Sequence, residues 1–354
     1  MSDVLGEKTT KKPLEKPRVA LVGGETPLGA DLREVLSGSI LGGRVKLIGS
    51  EDTVGAVLSE EGGEPVVITA LDSDELNAAR LIFFAGSEAS TRKAFLQIQP
   101  EPGAAKPILI DLTRALEDRP EARLRAPSAE PAGYDPGPAS IAVIAHPAAI
   151  VTVAVLRALH EVYPVKRSVT TAFEPASERG MAGIDELHQQ TVSLLAFQPL
   201  PKAVYDEQVA FNLLARYGEE AKESLASIEE RVENHIATLV ALDSGLPMPS
   251  LRLLQAPVLH GTTVSMWIEL GSDWELPAIE QTLAQAGLDV RSETLEGPHG
   301  VGMAAQSGIA VGSIVRDKND RRALWLFAVA DNYRLVAENA LAVARGEFLR
   351  SAAG

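Results

Sequence analysis

The sequence predicts an α/β protein in which a doubly wound, parallel-sheet domain is followed by an α+β domain. Three observations predict it. First, a short buried-strand pattern, Arg18-Val19-Ala20-Leu21-Val22, runs into a glycine turn and then a helical stretch from Ala30 to Leu36. Second, further short apolar runs alternate with helical stretches through the first half: Val45–Ser50, Leu81–Ser87, Pro107–Asp111 and Ile141–Ala145. Such alternation implies a parallel sheet covered on both faces. Third, the strand patterns of the second half cluster together, at Ser168–Phe173, Leu251–Val258, Thr263–Leu270, Ile309–Arg316 and Arg322–Ala330. Clustered strands with fewer intervening helices read as an α+β unit.

The totals bound the function. A chain of 354 residues is long enough for two domains with cores of their own. The expected division is a disordered leader over 1–17, a nucleotide-binding-type domain over 18–148, a second domain over 149–330, and a final helix over 331–354 that returns to the first. There is no cysteine, so disulfides, thiolate metal sites and cysteine catalysis are excluded. A formal net charge of -15 argues against general affinity for nucleic acid or anionic membranes. No apolar run is long enough to span a bilayer, and the polar, lysine-bearing amino terminus lacks a secretory core segment, so a cytoplasmic location is expected.

Taken in order, the first turn is Gly23-Gly24-Glu25-Thr26-Pro27-Leu28-Gly29. Strand, glycine turn and helix is the context of a dinucleotide fingerprint. Gly23 and Gly29 hold the outer positions, but Thr26 stands in the middle one and Glu25 adds a carboxylate that would repel phosphate. A plain βα turn without nucleotide is an equal reading. After the second strand come Glu51 and Asp52, which can accept from a ribose 2′-hydroxyl and would repel a 2′-phosphate. If a cofactor binds, NAD is therefore favoured over NADP. Gly86-Ser87 is a small-residue turn after the Leu81 strand, and Pro120 to Pro138 reads as a surface excursion.

The chain is organised around His146-Pro147-Ala148-Ala149, a tight turn between an apolar strand and the apolar helix Ile150–His160. A strand-to-helix turn aims a side chain beside backbone N–H groups that attract anions, which suits a nucleophile. Alanine can attack nothing. Beyond it, Glu174–Gly183 reads as a polar loop, Ile184–Ala196 and Glu219–Leu242 as amphipathic helices, the second opened by acids, and Asn332–Leu349 as a helix suited to packing on a sheet. The six histidines show no metal-type pairing, and no metal site is expected. His260, in Pro257-Val258-Leu259-His260-Gly261-Thr262, is the histidine closest to a site-like loop.

Several stretches together resemble the aspartate-semialdehyde dehydrogenase family over roughly Arg18 to Leu349. They are the Gly23–Gly29 turn, Gly86–Ser90, Ile110-Asp111, Ala145-His146-Pro147, Ser177–Leu187, Val209–Asn212, Pro257–Gly261, Gly312–Asp317 and Ala330-Asp331-Asn332. The resemblance implies a Rossmann-like domain, an inserted dimerisation domain and a homodimer. It implies an activity in which an acyl phosphate is reduced to an aldehyde with NADPH, through a cysteine thioester and a histidine acid/base. Cofactor contacts would fall to Gly23, Thr26, Gly29, Ser50, Gly86 and Asn332.

Against that pattern the chemical positions have changed. The asparagine-cysteine pair falls on Ala148 and Ala149, the substrate-carboxylate arginine on Gln255, and the acid/base histidine on Thr262. The phosphate-holding arginine falls on Glu117, and the glutamine before the Ser177 loop on Glu174. The lysine of an acid-lysine pair opened by Glu229 falls on Val232, and the lysine-glycine pair after Arg334 on Leu335-Val336. Loss of nucleophile, acid/base and clamp together leaves little rate to lose. The expectation is a catalytically inactive, Usg-like member of the family with no catalytic residue at Ala149, Thr262 or Gln255, acting as a homodimer and through an unidentified protein partner. The alternative is a nicotinamide-dependent oxidoreductase acting on an aldehyde or oxo group without a covalent intermediate, with His260 or Glu174 as acid/base. A third expectation is a purely structural or interaction protein in which even the nucleotide cleft is closed, which a bulky side chain filling the cleft would favour.

Overall fold

The computed structural model describes residues 17–42, 45–49, 55, 57–58, 66–99, 106–137, 139–243, 245–292 and 296–353. Of the expected leader only Pro17 falls within them, and Ser50, Glu51 and Asp52 lie outside the described residues.

In chain order the elements of the first half are β1 (Val19–Val22), α1 (Pro27–Ser37), β2 (Val45–Ile48), β3 (Val57–Leu58), β4 (Val66–Val67), α2 (Ser73–Ala78), β5 (Leu81–Phe84), α3 (Glu88–Leu96), β6 (Ile108–Asp111), β7 (Ala122–Arg125) and β8 (Ile141–Ile144). The main sheet has the order β2-β1-β5-β6-β8-β7, and every pairing in it is parallel. The strands β1, β5, β6 and β8 are buried throughout, as a sheet covered on both faces requires. Alternate residues feed two cores, with Leu21 and Phe83 on the side of α1, and Val22 and Phe84 on the side of α2 and α3. The stretch Pro120–Pro138 is not wholly a surface excursion. Its segment Ala122–Arg125 adds β7 to the sheet edge, and a half-covered edge strand carries too few apolar residues to announce itself.

The second half continues with α4 (Pro147–His160), β9 (Val165–Glu174), α5 (Gly180–Leu195), α6 (Leu225–Val240), β10 (Ser250–Gln255), β11 (Thr262–Leu270), α7 (Leu276–Gln285), β12 (Asp289–Arg291), α8 (Gly300–Met303), β13 (Ala310–Arg316), β14 (Ala323–Ala330) and α9 (Asn332–Ala353). Its sheet has the order β10-β9-β11-β14-β13-β12. The inner pairings are antiparallel, and the two outer ones, β10 with β9 and β12 with β13, are parallel.

Two stretches differ from the sequence reading. Glu174–Gly183 is not a loop: β9 runs to Glu174, a 3-10 turn spans Ala176–Arg179, and α5 begins at Gly180. The second amphipathic helix starts at Leu225 rather than at the acids. Ser224 caps it by accepting from the Ser227 N–H, which leaves Glu219, Glu220 and Glu223 in the preceding segment.

Helix α4 joins the halves. It is apolar on every side and buried from Pro147 to Leu159, because it packs on α6, α7, β9, β11 and β14 at once. Helix α9 runs back against α1, β6 and β8. Among the described residues no helix is long and apolar enough to cross a membrane.

Candidate functional site

The carboxyl ends of β1, β5 and β6 carry turns that converge with the 3-10 turn after β9, and a cleft of about 670 Å³ opens there. This is where ligands bind in open parallel sheets, and the volume suits a small molecule. Thr26, Gly86 and Asn332 line the cleft, whereas Gly23 and Gly29 sit in the turn behind it. Among the described residues this cleft is open rather than filled by a side chain.

The first turn is shaped by packing. Gly23 has φ +84°, and a Cβ there would lie 2.3 Å from the Gly86 Cα. The two turns therefore touch backbone to backbone, which only glycine permits. Thr26 caps α1: its hydroxyl accepts from the Gly29 N–H at 2.9 Å and donates to the Ala85 carbonyl at 2.7 Å. The Thr26 N–H is donated to the Gly23 carbonyl at 3.1 Å, and Pro27 has none. At α3, Ser87 and Ser90 form a reciprocal capping box. The Thr26, Gly29, Ser87 and Ser90 amides are thus committed to the protein, with Glu25 and Glu88 also lining the cleft. These commitments and carboxylates weigh against a bound pyrophosphate.

The β8–α4 turn is equally self-contained. His146 is 1% exposed, and its Nδ1 accepts from the Ala148 N–H at 3.2 Å to cap α4. Its own N–H is donated to His235 Nδ1 at 3.0 Å. Ala149, the expected nucleophile position, is 0% exposed. His146 Nε2 lies 3.4 Å from both Glu174 Oε1 and Glu178 Oε2, and these three could in outline hold a metal ion. The cap argues otherwise. An Nδ1 that accepts forces the proton onto Nε2, which then has no lone pair for a cation.

Around this turn the charges cancel in pairs. Arg114 meets Glu178 at 3.1 Å, Arg179 lies 3.7 Å from Glu174 and also binds Glu223, and Arg231 binds Glu223 at 2.9 Å and Glu117 at 2.8 Å. Burial pushes the Glu178 carboxyl up, but Arg114, His146, Asn332 and Arg179 together hold it down at about 2. Glu117 is likewise held at about 2: burial opposes, and His235 and Arg231 prevail. The charge reversal at Glu117 is thus answered by Arg231 and by His235, 3.1 Å away. Arg114 reaches Glu178 from a backbone at φ 66°, a strained conformation for arginine, on a turn braced by Asp111, which accepts from the Thr113 and Leu116 N–H groups. Arg114 escaped the sequence reading, and its position three residues after Asp111 was the available signal.

Of the other expected positions, Gln255, Thr262, Val232 and His260 do not line the cleft. Gln255 is 0% exposed; it donates to the Glu174 and Ala256 carbonyls and accepts from the Tyr217 hydroxyl at 2.6 Å. Nothing of it remains for a substrate. Thr262 is buried and its hydroxyl has no hydrogen-bond partner. Val232 and Val336 are buried, and Val336 also borders the cleft. His260 is bound on both ring nitrogens, to Ser177 Oγ at 3.1 Å and Asp331 Oδ1 at 2.9 Å, and its ring lies 4.8 Å from that of Tyr333.

Comparison with known proteins agrees with this geometry. The family described as "Semialdehyde dehydrogenase, dimerisation domain" matches residues 156–335. The chain is 28% identical to a USG-1 protein homolog of Azotobacter vinelandii over 320 residues, 89% of this chain and 93% of that one. It is 25% identical to the aspartate-semialdehyde dehydrogenase of Rickettsia bellii over 90% of this chain and 94% of that one. Among solved structures, a probable aspartate-semialdehyde dehydrogenase from Pseudomonas aeruginosa superposes with a TM-score of 0.79 at 26% identity, covering 94% of this chain and 98% of that chain. Aspartate semialdehyde dehydrogenase II from Vibrio cholerae shares the fold with a TM-score of 0.79 at 20% identity, over the same shares. The chain belongs to the semialdehyde dehydrogenase family, on its Usg-like side.

Proposed function

We propose that this aspartate-semialdehyde dehydrogenase-like protein is a homodimer that does not carry out the family's acyl-phosphate chemistry. The observation that carries the reading is the turn opening α4, where Ala149 is fully buried and the polar groups of His146 are directed to its own helix, to His235 and to two carboxylates. A methyl group cannot form a thioester, and a buried threonine hydroxyl does not exchange protons near neutral pH. Gln255, bound wholly within the protein, supports the same conclusion for the substrate clamp. The amides committed at the Thr26 and Ser87 caps weigh against the nicotinamide-dependent alternative. The matched dimerisation domain supports the homodimer.

The test is phosphate-dependent oxidation of aspartate semialdehyde with NAD or NADP. No protein-dependent nucleotide reduction is expected. Robust turnover that scales with protein concentration would overturn the reading.

A further inference from the structure

Most polar side chains around the cleft are tied inward, but one set is arranged to move a proton at its wall. Ser177, a lining residue, lies in the 3-10 turn after β9. Its backbone N–H is donated to the Leu259 carbonyl and that of Ala176 to Val258, so the segment carrying His260 is held alongside. Asp331 is 3% exposed and fixed by the Arg334 and Ala305 N–H groups at 2.9 and 2.7 Å. It accepts from His260 Nε2 at 2.9 Å. An ionised carboxylate has no proton to donate, so Nε2 carries the shared proton, which leaves Nδ1 as the acceptor facing Ser177 Oγ at 3.1 Å. The serine hydroxyl's other acceptor, Asn332 Oδ1, is farther at 3.3 Å and already takes the Gly261 N–H. Asn332 Nδ2 donates to the same Ser177 Oγ at 3.1 Å.

We propose that Ser177, His260 and Asp331 form a nucleophile–base–orienter triad that hydrolyses small uncharged acyl esters in this cleft. Such a set is recognised by geometry and roles, not by chain order or by which ring nitrogen faces which partner. Ser177 Oγ bonds to the ester carbonyl carbon as His260 Nδ1 takes the hydroxyl proton. The carbon–oxygen bond to the alcohol then breaks, and the alcohol leaves with that proton. Water attacks the acyl-serine by the same proton exchange, releasing a carboxylic acid and restoring the serine. Asp331 is the positioning residue.

The substrate class follows from the cleft. Among the described lining residues Arg114, Arg179 and Arg231 are matched by carboxylates, and with Lys222 the cations are balanced by Glu25, Glu88, Glu178 and Glu223, so the wall carries no net charge to select an anion. Leu28, Ala85, Leu112, Met181 and Val336 give an apolar wall. Ser177 is only 1% exposed, so the acyl group must be small.

The probe is methanesulfonyl fluoride on the full-length protein, read by intact mass and peptide mapping, beside p-nitrophenyl acetate hydrolysis. One adduct on Ser177 is expected, with hydrolysis abolished in Ser177→Ala and slowed by about 100-fold in His260→Gln. No adduct on Ser177, or hydrolysis unchanged in Ser177→Ala, would overturn the proposal. Labelling of the wild-type protein decides the question even where a variant fails to fold. Neither readout uses a nicotinamide nucleotide, so the result stands apart from the dehydrogenase test.

Discussion

The turn that opens α4 and the turn that opens α5 meet at Glu178, yet they use their polar groups in opposite ways. At α4, His146 caps the helix, and Pro147 and two alanines follow it. At α5 no side chain caps the helix, and Ser177 faces the cleft backed by His260 and Asp331. Both turns lie in one fold and share one buried ion network. The difference teaches that a family site is emptied by more than loss of a nucleophile. The groups left behind find internal partners, because an unpaired polar group in a low-dielectric interior is costly.

The largest effect is expected where that network is cut. Arg114 and Glu178 are both almost enclosed, with side chains 12% and 4% exposed. Arg114→Met alone should lower stability by about 3 kcal/mol, since it removes the nearest cation from the buried Glu178 carboxylate. The double variant Arg114→Met with Glu178→Met should recover most of that loss, because apolar replacements leave no uncompensated charge. Urea unfolding of the single and double variants measures both. A single variant within 1 kcal/mol of wild type would show that the pair is not the internal partner described above.

A smaller effect of opposite sign is expected at Thr262. Its buried hydroxyl has no partner, so nothing in the fold requires it. Thr262→Val keeps the shape and removes the unsatisfied group, and should raise stability by about 1 kcal/mol in the same unfolding measurement. A loss of stability would mean that the hydroxyl is engaged.

The fold was largely legible because it rests on local signals. The glycine turn at Gly23, the buried runs at Leu81 and Ile141 and the apolar helix after Pro147 are each set by residues adjacent in sequence. The edge strand at Ala122–Arg125 was not, since a half-exposed strand needs few apolar residues. Nor was the late start of α6, where a serine cap overrode a run of acids. The site was legible as a set of losses: Ala149, Gln255 and Thr262 are plain in the sequence. What replaced them was not. Arg114 with Glu178, Glu117 with Arg231, and His260 between Ser177 and Asp331 join residues 64, 114, 83 and 71 positions apart. Only packing of the two domains shows that these charges and donors meet.

The central claim is that the groups the family would turn toward cofactor and substrate are bound within this protein instead. Calorimetric titration of NAD and then NADP into the full-length chain tests it most directly. No saturable heat up to about 1 mM is expected, a concentration that corresponds to about 4 kcal/mol of binding. Micromolar binding of either nucleotide would contradict the account, since it would require the Thr26 and Ser87 turns to offer donors that their caps already hold.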